Sequence, residues 1–317
     1  MNESIAKLHA HEKTGILRSV ARAGAPPPGP ADGGQPEWAG EEAGSQLASK
    51  GRFCGAKSFA IGSNGFCPLA SGSKGNCIYV GAKNTRVLID AGISFKMTAA
   101  RLAEIGVEID TIQAILITHE HVDHIAGLAV LADRLKIPVL ANAETAKAIC
   151  AALGMRPRFK IFTTGEPFEF GDLFVQPFSV PHDTLDPVAF RVEVGGRRLG
   201  FCADLGHVTS LVRKSLERCD YLYLEANHQP SMVHASARPR VYKERVLGRQ
   251  GHLSNEDSAA LLRSIFHIEL KHVHLAHLSK ECNSEELALK IVADALEGKS
   301  VELSIAYQDK VSRPILF

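Results

Sequence analysis

No stretch of the chain approaches the ~20 consecutive apolar residues that a membrane-spanning helix requires, and the N-terminal residues lack the apolar core of a secretory signal. A membrane partner is therefore not expected, and the cytoplasm is the expected location. Close cysteine pairs are missing as well: the seven cysteines stand at 54, 67, 77, 150, 202, 219 and 282, with no CxxC among them. An odd, dispersed set argues against a disulfide framework and a structural zinc knuckle, and favours a reducing compartment. Nor is there an excess of charge of one sign, since 36 Lys and Arg against 35 Asp and Glu leave a formal charge of +1. Any affinity for nucleic acid must then come from a local basic patch, not from the field of the whole protein.

Hydrophobic residues make up 45% of the 317, enough to build the core of one large domain or two small ones. Residues 1–57 stand apart. Between Ala21 and Lys50 there are six Gly, five Pro and seven Ala, a composition that buries too little apolar surface to offset its ordering entropy. The expectation is a disordered N-terminal extension over 1–57 and a folded domain over 58–317. Ile5 to Arg22 has the spacing of a short basic amphipathic helix, but Glu3 and Glu12 go against an organellar presequence. An extension without a catalytic role is the preferred reading.

What the chain does contain is Thr118-His119-Glu120-His121-Val122-Asp123-His124, directly after the apolar run Ile115-Leu116-Ile117. The apolar run reads as a buried strand, which places three imidazoles and a carboxylate on a strand-end loop. On a tight turn His119 and His121 face one ion while Asp123 and His124 face a second, so two neighbouring metal positions are implied. Mixed His and carboxylate sets suit zinc-type metals. Loop histidines and aspartates are common singly but seldom cluster in this way.

Around this loop the pattern alternates. Leu69 to Val80 reads as a Gly- and Ser-rich turn feeding a strand; such a turn either offers backbone amides to a phosphate or closes an ordinary hairpin. Ser71, Ser73 and Lys74 are candidate substrate contacts on it. Arg86–Ile89 forms a strand, Met97–Ile105 a helix stopped by Gly106, and Ile112–Ile117 the strand entering the loop. Ile125–Leu135 reads as one helix, followed by a strand at Val139-Leu140 and a helix at Ala143–Leu153. Strands then dominate: 168–170, 173–180, 188–194 and 198–201, with Gly195-Gly196 as a hairpin turn. His182 and Asp204 fall just beyond two of these strands, where a rigid sheet can fix ligands. The alternation indicates an α/β domain.

Tyr221–Glu225 is a further strand, and Glu225 or His228 could hydrogen-bond a ligating imidazole. Residues 238–249 carry five positive charges and one negative, running into Gly251-His252-Leu253-Ser254-Asn255. Basic residues beside a metal site favour an anionic polymer, because each neutralised phosphate releases counterions; Arg245 and Ser254 are the candidate contacts. The alternative is a solvated helix face. Ser254 with Asp257 resembles a capping box for a helix reaching Phe266. Asn283 or Ser284 can cap another, reaching about Leu296. His272 and His274 read as ordinary side chains of the strand Lys271–Ala276.

The HxHxDH loop, with Ser179-Val180-Pro181-His182-Asp183, Phe201-Cys202-Ala203-Asp204 and His274-Leu275-Ala276-His277 in order behind it, resembles the metallo-β-lactamase-fold hydrolases over about residues 66–310. The resemblance implies a four-layer αββα sandwich holding two divalent ions. His119, His121 and His182 would take one, Asp123, His124 and His277 the other, with Asp204 bridging and Asp90 bracing the histidine loop from behind. Zinc, manganese and iron all accept such ligands. Two ions ~3.5 to 4 Å apart hold a hydroxide nucleophile between them, with Asp123 as the group that orients it. His252 would donate to a phosphate or leaving oxygen.

One such fold hosts many chemistries. Asp204 in place of a cysteine, with His124 retained, goes against the β-lactamases that use a Cys ligand. Only 21 residues separate His182 from Asp204, too few for the long tRNA-gripping arm of some ribonuclease Z enzymes, and the 47 between Asp204 and His252 leave no room for a β-CASP insertion. What remains resembles the YycJ (WalJ) branch, on Leu69-Ala70-Ser71-Gly72-Ser73-Lys74-Gly75-Asn76-Cys77, Leu224-Glu225-Ala226-Asn227-His228, Gly251-His252-Leu253-Ser254-Asn255 and His277-Leu278-Ser279-Lys280-Glu281-Cys282-Asn283. That implies 5′-to-3′ exonuclease action on double-stranded DNA. The rivals are hydrolysis of a small ester, lactone or cyclic phosphodiester, and RNA processing of the ribonuclease Z type. A binding module without catalysis would require lost ligands, and none is missing. The long N-terminal extension departs from the compact branch.

Overall fold

The computed structural model describes residues 63–317. The expected disordered extension over 1–57 lies outside the described residues, as does Cys54. Two seven-stranded sheets form the centre. The first contains β1 (Gly65–Ala70), β2 (Cys77–Gly81), β3 (Arg86–Ile89), β4 (Ala114–Leu116), β5 (Val139–Ala141) and β6 (Phe159–Ile161) in that spatial order. The second runs β7 (Phe168–Phe170), β8 (Leu173–Ser179), β9 (Val188–Val194), β10 (Arg197–Cys202), β11 (Tyr221–Glu225), β12 (His272–Ala276) and β13 (Glu302–Ile305). The last strand, β14 (Ile315–Leu316), returns to pair antiparallel with β1.

Alternation along each strand creates the layers, because successive side chains leave opposite faces of a sheet. In β2, Ile78 and Val80 point into the space between the sheets while Cys77 and Tyr79 point to the outer face. In β11, Tyr221 and Tyr223 point inward and Leu222 and Leu224 outward. Both faces are buried, so these strands read as continuous apolar runs. Outside the first sheet lie α1 (Phe95–Glu104), the short α2 (Val122–Ile125), α3 (Leu128–Leu135) and α4 (Ala143–Leu153). Leu102, Ile125, Leu128, Leu131 and Ile149 pack from them onto the sheet. Outside the second lie α5 (Ser210–Leu216), α8 (Asn255–Ile265) and α9 (Glu285–Ala295), contributing Val212, Leu262 and Val292. Between α5 and α8 in the chain come α6 (Pro230–Ala235) and α7 (Arg240–Leu247), which share a small cluster of Val233, Val246 and Cys282. The architecture is the expected αββα sandwich.

Two expectations need correction. Ile125–Leu135 is not one helix: α2 ends at Ile125 and α3 begins at Leu128, because the chain bends at Gly127, where a Cβ would sit 2.0 Å from the Ile93 carbonyl oxygen. Leu69-Ala70 belongs to a strand, β1, and the following turn is the hairpin alternative. Five of its amides are taken up within the protein. Ser71 N donates to Tyr307 O, Gly72 N to Asn76 Oδ1, Lys74 N to Gln308 Oε1, Gly75 N to Gly72 O and Asn76 N to Asp123 O. Among the described residues no helix is long and apolar enough to cross a membrane.

Candidate metal centre

Strands β3, β4 and β5 run parallel in the first sheet, as do β10, β11 and β12 in the second. The carboxyl ends of parallel strands open onto a crevice, the usual place for a site in such sheets. Asp90 follows β3, the histidine loop follows β4, Asp204 follows β10, Glu225 ends β11 and His277 follows β12. Three of these, Asp90, Asp204 and His277, have φ of 60°, 53° and 55°. A left-handed residue is costly outside glycine, and here it turns the chain sharply off the strand.

The histidine loop is pinned by its backbone. Asn76 N donates to Asp123 O at 2.7 Å and Ala91 N to His124 O at 2.8 Å, while Gly92 lies so close that a Cβ there would meet Asp123 O at 1.7 Å. Behind the loop, Asp90 accepts from Thr118 N at 2.9 Å and lies 2.8 Å from His124 Nδ1. Asp90 therefore contacts the histidine loop from behind through Thr118 and His124. Thr118 Oγ1 also lies 3.0 Å from His119 Nδ1.

The ligand candidates form two clusters joined by Asp204. In the first, His121 Nδ1 lies 3.2 Å from His119 Nε2 and 3.3 Å from His182 Nε2. Two imidazoles can share one proton, but three nitrogens around one point cannot all be satisfied in that way. Those spacings are close to the roughly 3.3 Å between two nitrogens on a tetrahedral ion with bonds of ~2.0 to 2.1 Å. In the second, His277 Nε2 is 3.8 Å and His124 Nε2 3.7 Å from Asp123 Oδ2. Asp204 places Oδ2 3.0 Å from His124 Nε2 and Oδ1 3.8 Å from His182 Nε2. His277 Nε2 and Asp204 Oδ2 are buried without a hydrogen bond, a costly state unless something else satisfies them. This donor set therefore fits divalent-cation binding, with ligand atoms of His119, His121 and His182 grouped together and those of His119, His124 and Asp204 beside them.

Glu225 is fully buried and accepts four contacts: Leu205 N at 2.7 Å and Leu253 N at 3.1 Å on Oε2, with His252 Nδ1 and His277 Nδ1 each 2.9 Å from Oε1. It thus hydrogen-bonds the imidazole of His277, a candidate ligand. His228 does not, since its Nδ1 has no partner and its ring bonds none of the candidate ligands. Burial alone would raise the Glu225 carboxyl, but the charge and hydrogen bond of His252 and the hydrogen bond of His277 pull it down to about 2. Burial, then the charge of His124, holds His119 well below its ordinary value. His124 goes the other way: Asp90 and Asp204 overcome its burial and hold it well above. Burial would also lower His277, yet Asp204, with Asp123 and Glu225 around it, raises it well above. Asp204 is held well below the carboxylate range by His277 and His124, against its own burial.

The expected substrate contacts fare differently. Ser71 is buried, shares a 2.7 Å hydrogen bond with the Tyr223 hydroxyl and accepts from His277 N at 2.8 Å, so it is a strut behind the centre and not a surface for substrate. Ser254 is likewise taken up: as the cap of α8 it accepts from Asp257 N at 3.1 Å and donates to Asp257 Oδ2 at 2.8 Å. Ser73 and Lys74 are exposed on the hairpin tip and make no side-chain bond to the centre. Arg245 grips Asp183 with two bonds of 2.6 and 3.2 Å. Sequence reasoning did not single out Asn76, whose Nδ2 lies 3.3 Å from Asp123 Oδ2 and 3.0 Å from His124 Nε2. It also missed Thr118, Asp183 and the Gly251 carbonyl, which sits 3.0 Å from His182 Nδ1. Asp183 alone had a signal, as the neighbour of His182.

Residues 85–275 match the family model described as a β-lactamase superfamily domain. The chain is 37% identical over 245 residues to the exodeoxyribonuclease YycJ of Bacillus anthracis, covering 77% of this chain and 93% of that protein. It is 35% identical to the exodeoxyribonuclease WalJ of Streptococcus pneumoniae, covering 76% and 91%. Among solved structures, the metallo-β-lactamase-fold protein YhfI of Bacillus subtilis superposes with a TM-score of 0.59 at 16% identity, covering 78% of this chain and 97% of that one. The two sheets with helices outside them, the strand-end cluster and the near full-length match together have one reading: the chain belongs to the metallo-β-lactamase-fold β-lactamase superfamily, in its YycJ/WalJ branch.

Proposed function

We propose that this protein is a metal-dependent nuclease that hydrolyses phosphodiester bonds, acting as a 5′-to-3′ exonuclease on double-stranded DNA. One observation carries the reading. A buried, cation-shaped set of imidazoles and carboxylates sits in a chain that spans nearly all of two relatives named as exodeoxyribonucleases. His119, His121 and His182 would hold one divalent ion and Asp123, His124 and His277 a second, with Asp204 as a ligand available to both. When bound, such ions would lower the pKa of an attacking water and neutralise charge growing on the phosphoryl oxygens.

The chain's own residues do the rest. Asp123 is the most accessible carboxylate of the set, its side chain 24% exposed, and the Asn76 amide keeps its Oδ2 in place. It orients the water and takes up its proton. Glu225 accepts from His252 Nδ1, which fixes the ring and leaves Nε2, once protonated, to donate to the leaving oxygen. Asn227 donates to His277 O at 2.7 Å and Ser71 accepts from His277 N, so the last ligand cannot swing away. Zinc and manganese are the candidate metals.

The test is digestion of a 5′-phosphorylated duplex DNA labelled at either end, by metal-loaded protein and by Asp204→Ala. Stepwise release from the 5′ end, absent in the variant, is the expected result. Turnover of a small ester with no release from DNA would transfer the site to small-molecule hydrolysis.

A further inference from the structure

Each candidate ligand histidine has a second ring nitrogen besides the one offered to an ion, and partners that hold it tighten a metal site. Four of the five are held inside the protein at short range. His119 Nδ1 faces Thr118 Oγ1 at 3.0 Å, His124 Nδ1 faces Asp90 at 2.8 Å, His182 Nδ1 faces the Gly251 carbonyl at 3.0 Å and His277 Nδ1 faces Glu225 at 2.9 Å. His121 differs. Its side chain is 30% exposed, and its second nitrogen, Nε2, has one carboxylate in front of it, Asp183 Oδ1 at 3.7 Å, an ion-pair and not a hydrogen-bond distance; the same oxygen lies 3.4 Å from His182 Nε2.

Asp183 in turn is not free to wander. Arg245 of α7 takes Oδ2 with Nε at 2.6 Å and Oδ1 with Nη2 at 3.2 Å, the two-bond arrangement in which a planar guanidinium fixes the plane of a carboxylate. The loop after α7 supplies the Gly251 carbonyl to His182 and then His252 to the centre. One continuous segment, 240–252, therefore reaches the exposed side of the His119, His121 and His182 cluster at two points.

We propose that Arg245 and Asp183 are a positioning pair for the first metal position: Arg245 fixes Asp183, and Asp183 orients His121 so that Nδ1 faces the ion. The pair rests on the metal-centre reading above and gives Arg245 a role different from the substrate contact expected of it. The role is orientation, without contact to the reacting atoms. Asn76, Asp90 and Glu225 serve the other position, so loss of the pair weakens one ion and spares the second.

The experiment is calorimetric titration of metal-free protein with Zn2+, alongside visible absorption spectra during Co2+ loading, for wild type, Arg245→Ala, Arg245→Lys and Asp183→Asn. Circular dichroism shows that each variant is folded. The expected wild-type result is two ions bound. In Arg245→Ala one of them weakens about 10- to 100-fold, the usual effect of removing such a partner. The cobalt bands of the all-histidine position shift, and the other ion is unchanged. Arg245→Lys, which keeps the charge but not the planar fork, recovers only part of the affinity, and Asp183→Asn behaves as Arg245→Ala does. Wild-type affinity and spectra in Arg245→Ala and Asp183→Asn would overturn the pairing and leave the metal centre standing. Failure of the wild type to bind two ions would overturn the centre itself, and the pairing with it.

Discussion

Glu225 shows what a single residue carries. Its two oxygens receive two backbone amides and two imidazoles in a place with no access to water. Glu225→Gln keeps the shape but turns an NH2 group toward groups that donate, leaving at least one donor unsatisfied. Breaking a buried charged pair costs about 3 to 5 kcal/mol, and urea denaturation of the metal-free variant should show a loss of about that size. An unchanged midpoint would mean that the four contacts do not cooperate. The same residue marks what the sequence makes legible. HxHxDH can be read because its ligands are adjacent, and Glu225 because it ends an apolar strand. Asn76 lies 47 positions from Asp123, and Asp183, although next to His182, lies 62 from Arg245; these pairings exist only after the sheets have folded, so no local pattern announces them.

At the scale of the element, the turn after β3 serves as a cradle for α2. Gly92 allows the two backbones to approach, and Gly92→Ala would drive its Cβ into Asp123 O. Overpacking of this kind costs about 3 kcal/mol or more where backbone must move. Gly154→Ala is the control, since nothing lies within 4 Å of the Cβ there and only the φ of 61° is strained, for about 1 kcal/mol. The comparison is read from urea midpoints and from the metal content of the purified variants; equal losses at the two sites would contradict the cradle. Helix periodicity found α1 and α4 to within two residues, and the cap at Ser254 set the start of α8. It failed between α2 and α3 because the break is imposed by Ile93 from another part of the chain, while the apolar spacing runs on unbroken.

For the whole molecule, acid is the revealing variable. His274 is fully buried beside Phe66, with Nδ1 2.7 Å from Ser304 Oγ, and burial, then the charge of His272, holds it well below its ordinary 6.5. A base whose folded pKa is depressed stays neutral in the fold and gains its proton on unfolding. Its contribution is therefore complete above pH 6.5 and declines below that value, by about 1.4 kcal/mol per pH unit for one proton. Thermal unfolding in chelator between pH 7.5 and 5.5 should show a shallower decline for His274→Gln than for wild type, and parallel declines would rule the group out. The strand alternation that announces an α/β domain was legible along the sequence, and the sandwich followed from the resemblance. The pairing of β14 with β1 and the placing of β13 beside β12 were not, because edge strands this short carry too little pattern.

Both candidate ligand sets draw on the two sheets at once. The loop after β4 lies on one sheet, while His182, Asp204 and His277 come from the other, and His277 is tied back through Ser71 to the hairpin that opens the first sheet. In a chain emerging from a ribosome, the candidate ligands are complete only when His277 has appeared, and the partners that hold His182 and Asp183 come from the segment 240–252 just before it. On the proposed reading, an ion shared by residues of both layers would tie the two sheets together.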